Sequence, residues 1–412
     1  MSLKKRKNWR VLEGHKGSMD KLVENIVADI KAKDIPEKKK IGRWKKHRRN
    51  IMATAIGAGI ILAIALVIHF QTYSSVRVSE TYIFAGASDS SYEAFQEGVL
   101  KYSRDGVAFM NRYGEEQWNH PCQVKRPFVE KNAKTAAVAD KGGNEILLFQ
   151  KEGLIGEVST PLPIEKISVS EQGIVCAILK NSTTPQIVCY DTAGNVLVEH
   201  KVSPAGMGYP MDVALSPNGE ILQVAYLYLH DGKIISRVVY YDFGKNGKAA
   251  EDYQIAQKEY SDTILSTGFY MDEKTSAVIG DNCLTIFKGK NEVKEEITIS
   301  FDKRIQSVAH DDKYIAVVLQ NEGAGGNELR MYNADGKLVT DETFTGNYRK
   351  MKIVDDQIIM YDGKGCSIFM KSGIQKFDGE MGQSVLEIFP TSGVNKYVVM
   401  NAGGMEHVRL VK

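Results

Sequence analysis

Seven times along this chain a short run of Val, Ile, Phe and Tyr leads into a turn holding a glycine and out into a second strand-like run. The units are Val107–Asn119, Ile146–Val158, Ile187–Glu199, Val238–Ala250, Leu284–Glu296, Leu329–Asp341 and Cys366–Asp378. Their turn glycines, Gly114, Gly153, Gly194, Gly244, Gly289, Gly336 and Gly373, lie 39, 41, 50, 45, 47 and 37 residues apart. Between them recur further strand–turn–strand pieces such as Met211–Leu227, Ile305–Leu319 and Met351–Tyr361. About four strands in a period near 40–45 residues is the pattern of a β-propeller. Two ordinary β-sandwiches would not space their glycines so evenly. After Asp378 only three strands remain, Val385–Ser392, Lys396–Ala402 and His407–Val411. The alternating stretch Ser75–Phe84 has no repeat of its own, and pairing it with the last three strands closes the ring and removes two raw edges. The expected fold is all-β, an eight-bladed propeller over 75–412. Seven blades is the alternative, should the irregular unit around Lys245–Gln257 be mis-parsed.

Ahead of the repeats stands a stretch of another kind. Residues Ile51–Phe70 carry no acidic or basic side chain except His69, and no proline. Twenty residues make a helix of about 30 Å, the thickness of a bilayer's hydrocarbon core. The preceding segment, Lys38–Asn50, is dense in Lys and Arg, which favours retention on the cytoplasmic side. Residues 1–50 hold 17 Lys/Arg and 6 Asp/Glu, a net of +11; the chain's net of +2 then leaves −9 for residues 51–412. The reading is a basic cytoplasmic tail (1–50), one membrane span (51–70), a short linker (71–74) and an extracytoplasmic domain. The linker, at about 3.5 Å per residue, keeps that domain within about 15 Å of the bilayer. A basic tail beside a span answers to anionic lipid, not to nucleic acid. The apolar run is too long, and too far from the start, for a cleaved signal peptide.

Within the tail, Ser18 suits an N-cap and Pro36 a stop. Between them Leu22, Val23, Ile26, Val27 and Ile30 fall on one stripe of a helix over about 19–33. So short a helix needs a partner for its apolar face. A cytoplasmic protein or a second copy suits it better than lipid, because Asp20, Glu24 and Asp29 repel an anionic surface. In the span, Ala53 and Gly57, and Ala55, Gly59 and Ala63, are small residues four apart, a spacing that lets two helices approach and form a homodimer.

The first hairpin, GVAFMNRYGEEQWN, combines an apolar strand, Asn111, Gly114 and Trp118. It resembles the blade motif of quinoprotein-like (PQQ-like) propellers, whose tryptophan docks between neighbouring blades; the other hairpins keep only strand–Gly–strand. The whole layout resembles a clostridial family of single-pass, membrane-anchored, quinoprotein-like propeller proteins, a resemblance that implies the fold and no activity. Quinone-dependent dehydrogenases of that superfamily hold their cofactor on the axis against adjacent cysteines and a tryptophan, with calcium nearby. This chain has no Cys-Cys pair, and Trp118 sits at the outer-blade position, so no cofactor is expected.

No metal or catalytic motif stands out. His310-Asp311-Asp312 reads as a turn between strands, and Gly323–Gly326 as a loop lacking the helix and lysine of a phosphate site. No nucleophile–base pair is readable. The five cysteines include no C-x-x-C. Cys176 and Cys189 flank one turn symmetrically, as two buried thiols or, alternatively, a cross-strand disulfide. The functional expectation is a non-enzymatic membrane-anchored binding or scaffold propeller. Its partners would be the lipid bilayer, an envelope protein or cell-wall glycan at the propeller face, and a cytoplasmic protein at the tail. The alternative is an extracytoplasmic enzyme on the propeller axis.

Overall fold

The computed structural model describes residues 24, 25, 28, 37–83, 89–245, 247–321, 326–391, 393 and 395–412. It divides into two units, Met1–Phe70 and Gln71–Lys412.

In the first unit a helix runs from Glu37 to Phe70. It starts fourteen residues before the apolar run, directly after Pro36, because Lys and Arg propagate a helix well and no proline interrupts them. Its Asn50–Phe70 portion is long and apolar enough to cross a membrane. A Cβ added at Gly57 or Gly59 would meet nothing within 4 Å. The tail stripe Leu22, Val23, Ile26, Val27 and Ile30 lies outside the described residues.

The second unit is a ring of eight four-stranded antiparallel sheets. Seven are built from consecutive strands: blade 1 over 91–121, blade 2 over 127–159, blade 3 over 164–201, blade 4 over 209–261, blade 5 over 265–300, blade 6 over 305–344 and blade 7 over 350–380. Blade 8 takes Glu387–Pro390, Lys396–Asn401 and Gly404–Val411 from the C-terminus. Its outermost strand is Ser75–Ile83 from the start of the domain. That closing strand runs antiparallel to Gly404–Val411, in register from Ser75↔Val411 to Ile83↔Gly404. Residues 71–74, expected as a free linker, are bonded into the ring. The Tyr73 amide donates to Lys376 O at 2.8 Å, the Ser74 amide to Val411 O at 3.1 Å, and Lys376 Nζ to Gln71 O at 3.1 Å.

Each junction between neighbouring blades is filled by one apolar cluster, eight clusters for eight junctions. The domain therefore has no central core; it is held between blades, and opening one junction weakens the ring.

Six of the seven turn glycines adopt left-handed backbone, as these tight turns require, with φ from 75° at Gly114 and Gly336 to 128° at Gly153. Gly244 does not. The glycine spacing misassigned it: blade 4 has no tight third turn. There Lys233–Asp242 is followed by Gly247–Ala249 and Glu251–Tyr253, two single-turn 3₁₀ segments, before the outer strand Gln254–Ser261. This insertion is the irregular unit of the sequence, yet blade 4 is a complete sheet and the ring has eight blades.

Candidate functional site

Because strands are added outward in sequence order, the first strand of each blade faces the axis. These strands carry charge among apolar neighbours: Glu93, Glu130 with Lys131, Glu165 with Lys166, Asp212, Lys350 with Lys352, and Glu387. Their C-terminal halves in blades 2 to 6 enclose a cavity of about 150 Å³, lined by Glu130, Lys166, Asp212, Thr267, Phe269 and His310. Asn132 and Pro217, just beyond strand ends, also line it, which places it toward the face bearing the turns between first and second strands. Ser75, opposite Val411 at the end of a third strand, enters the ring on that same upper face.

Most axial charges are paired. Lys166 Nζ lies 3.3 Å from Asp212, and Lys131 Nζ 3.5 Å from Glu93. Lys352 contacts Glu387 directly, while burial pulls its ammonium below the ordinary lysine range. Asp212 accepts the Gly268 amide at 2.8 Å, and Glu165 the Tyr209 hydroxyl at 2.7 Å. Burial raises Asp212, and Lys166 opposes the rise. His310 stacks on Phe269 with ring centroids 3.7 Å apart and planes 3° from parallel. It opens on the channel, but protein surrounds that channel, and burial lowers its imidazole to about 4. It is neutral at physiological pH.

Glu130 differs. Its side chain is exposed to the channel, but protein surrounds that channel, and this desolvation, then repulsion from Asp212, pushes its carboxyl up to about 7, against the pull of Lys166. The folded state thus holds this proton more tightly than the unfolded chain, whose glutamates titrate near about 4.3. The corresponding stability is fully present below the unfolded pKa and is lost as pH rises toward about 7. Glu130→Gln should therefore flatten the fall of Tm between about pH 5 and pH 7.5 and raise Tm at the upper end, as thermal melts at several pH values would show. A parallel fall in wild type and variant would exclude this assignment.

The axial residues escaped the sequence reading. His310 ends an inner strand on the cavity, whereas Asp311 makes the turn, accepting the Lys313 and Tyr314 amides at 2.8 and 2.7 Å. The available signal was a charged residue in the first strand of six of the eight blades; Leu265–Tyr270 and Ile305–His310 carry no Asp, Glu, Lys or Arg.

Trp118 lies on the outer strand of blade 1. It stacks on Phe149 of blade 2 at 5.1 Å and 7°, and its Nε1 donates to Lys151 O at 2.9 Å. The position follows a β-bulge against Phe109/Met110, and the bulge recurs in blades 2 to 7. The equivalent residue repeatedly meets the next blade's third turn. Thr340 donates to Lys371 O, Ile297 presses on Gly336, and Gly156 lets the Thr192 backbone approach. Cys176 and Cys189 are directly opposed in blade 3, with Cα atoms 4.0 Å apart, and are joined as a buried disulfide where two thiols had been the first reading. Neither they nor Trp118 is axial. Among the described residues no group of three or more His, Cys, Asp or Glu is placed to hold a metal.

One projection stands out on the lower face, where second strands turn into third. In blade 4 the strands Ile221–His230 and Lys233–Asp242 are each ten residues long and remain paired out to His230↔Lys233. Asp231 and Gly232, with φ of 49° and 74°, close a two-residue hairpin. Near the tip Leu229 is 75% exposed, with Ile234 beside it. The base is braced: Arg237 bonds Glu259 and lies 4.9 Å over the Tyr228 ring, and Tyr228 Oη donates to Glu259 at 2.9 Å.

Among solved structures the chain is similar to Sqt1 of Saccharomyces cerevisiae, with TM-score 0.54 and 13% identity over 81% of this chain and 99% of that one. It is also similar to a eukaryotic initiation factor (0.47, 12%, 81% and 92%) and to hydrazine synthase of Kuenenia stuttgartiensis (0.44, 14%, 71% and 95%). At such identities the Sqt1 likeness speaks to the fold alone. No curated protein matches the chain. A family model described as "Family of unknown function (DUF5711)" matches residues 69–410.

Proposed function

The chain belongs to the DUF5711 family, and on that footing we propose that it is a single-pass membrane protein whose extracytoplasmic propeller binds an envelope partner without catalysing a reaction. The hairpin of blade 4 carries this reading. A braced finger lifts the cross-strand pair Leu229 and Ile234 beyond the ring, a small apolar tip held in a fixed shape that a partner can cover. The axis supports the same view, because its lysines and carboxylates are mostly spent on one another. The span and the Lys/Arg-rich segment directly before it orient the chain with its N-terminus inside. The partner at the finger is an envelope protein, and the tail helix engages a cytoplasmic protein.

Membrane pull-downs test this. Full-length chain, a chain lacking residues 1–36 and a Leu229→Asp variant are compared, with captured proteins identified by mass spectrometry. Leu229→Asp should lose envelope partners at least tenfold while keeping cytoplasmic ones, and removal of 1–36 should do the reverse. Unchanged capture in both would overturn the reading. Glu130 alone favours a second reading, an enzyme on the axis, because a carboxyl near 7 suits general acid–base work. That reading requires Glu130→Gln to abolish a turnover while leaving capture intact.

A further inference from the structure

The docking contact that Trp118, Gly156, Ile297 and Thr340 make with the next blade's third turn is missing at the junction of blades 3 and 4. The residue equivalent to Trp118 there is Val198, the first after the bulge and paired with Cys189 as Trp118 is with Phe109. It is much smaller than tryptophan. The turn it should meet has been replaced by the insertion that holds the 3₁₀ segments Gly247–Ala249 and Glu251–Tyr253. The result is a pocket of about 510 Å³ on the rim, between the outer strand of blade 3 and the insertion. This is within the range of roughly 300–1,000 Å³ usual for ligand sites.

Its lining is mixed in a specific way. Leu197, Phe243 and the half-exposed ring of Tyr253 give apolar surface, with Phe243 and Tyr253 centroids 5.8 Å apart. Around them stand two carboxylates, Glu199 and Asp252, one ammonium, Lys248, and the imidazole of His200, whose Nε2 is buried without a hydrogen-bond partner. Burial lowers His200 from its ordinary value, so it is neutral and offers one donor and one acceptor. Asp252 and Tyr253 are consecutive non-glycine residues with φ of 51° and 61°. Such strain gathers at ligand clamps.

We propose that this rim pocket binds a sugar residue of a glycan, the pyranose lying on Tyr253 and its hydroxyls bonding to Asp252, Glu199, Lys248 and His200. The lining decides among ligand classes. An organic cation would meet Lys248, an anion would meet two carboxylates, and a purely apolar group would leave Asp252, Lys248 and His200 unanswered, Glu199 being paired with Lys201 at 3.6 Å. Neighbouring hydroxyls, each both donor and acceptor, on a ring with apolar C–H faces satisfy all of them. The assignment names a ligand class for the binding role above and rests on that role only for where the glycan would be met.

The test is saturation-transfer NMR on the full-length chain in a detergent without a sugar headgroup. The probes are the methyl glycosides of glucose, galactose and N-acetylglucosamine, and the β-1,4-linked disaccharide of the last. At least one should receive saturation, and Val198→Trp, which fills the groove as Trp118 does in blade 1, should reduce that signal at least tenfold. Tyr253→Ala removes a half-exposed ring from an insertion and should have the same effect with the melting temperature unchanged, which separates lost binding from lost folding. Absence of transfer to every probe in the wild type, or binding that survives both variants, would overturn the proposal. Neither result bears on the protein partners captured through Leu229, so the two readings fail separately.

Discussion

A propeller fragment that begins at residue 90 should lose the cooperative melting transition that a 71–412 fragment shows. The shorter fragment lacks Ser75–Ile83, the outer strand of blade 8. Without it the backbone of Gly404–Val411 loses its partners along the register from Ser75↔Val411 to Ile83↔Gly404. The half-buried apolar side chains of Tyr73 and Val76 leave the cluster that joins blades 7 and 8. The bonds from Tyr73 and Ser74 to Lys376 and Val411 go as well. A domain of this kind has a net stability of roughly 5–15 kcal/mol, and unpairing a whole strand at the point of closure removes a large share of it. The exposed edge also invites association with other chains. Circular dichroism melts and light scattering would check this, and adding the peptide SVRVSETYI should restore part of the transition by strand addition. Equal melting temperatures for the two fragments would mean that the strand is dispensable.

Gly156→Val should be the most damaging single substitution at a blade junction. A Cβ there would collide with the carbonyl oxygen of Thr192, a backbone atom in the third turn of blade 3 that cannot swing aside. The Gly156 backbone is not left-handed, so valine is excluded by space and not by conformation. Forcing the two blades apart would also disturb the cluster of Leu148, Val158, Ile167 and Tyr190 between them. Overpacking ordinarily costs about 1–3 kcal/mol, and a backbone obstacle puts this site at or above about 3 kcal/mol. Chemical denaturation of wild type and variant measures it. Leu154→Val, on the same outer strand at a more exposed position, is the control and should change stability by less than about 1 kcal/mol.

The ring was legible because its two signatures are local. A strand–glycine–strand unit repeats along the chain, and Ser75–Ile83 alternates with no unit of its own. Where a local signal was absent, the reading failed. Gly244 kept the spacing while the turn it should have marked had grown into an insertion. Lys and Arg before the span form helix as readily as the apolar run, so nothing in the pattern announced a start at Glu37. The axial cluster was hidden for a different reason. Glu130 and Asp212 are 82 residues apart in sequence and belong to blades 2 and 4. In any one strand each looks like a solvent-facing charge, and only ring closure sets them around one cavity. The rim pocket was hidden more deeply, since it arises from a side chain that is small at Val198 and a turn that is missing opposite.

An envelope partner or a glycan can reach the propeller only if the propeller lies outside the cell. The most direct measurement is labelling with a membrane-impermeant amine reagent, on intact and on lysed cells, followed by peptide mapping. Exposed propeller lysines such as Lys134 and Lys294 should be modified in intact cells, and the tail lysines Lys38, Lys39 and Lys40 only after lysis. Propeller lysines protected until lysis, or tail lysines labelled in intact cells, would contradict the account.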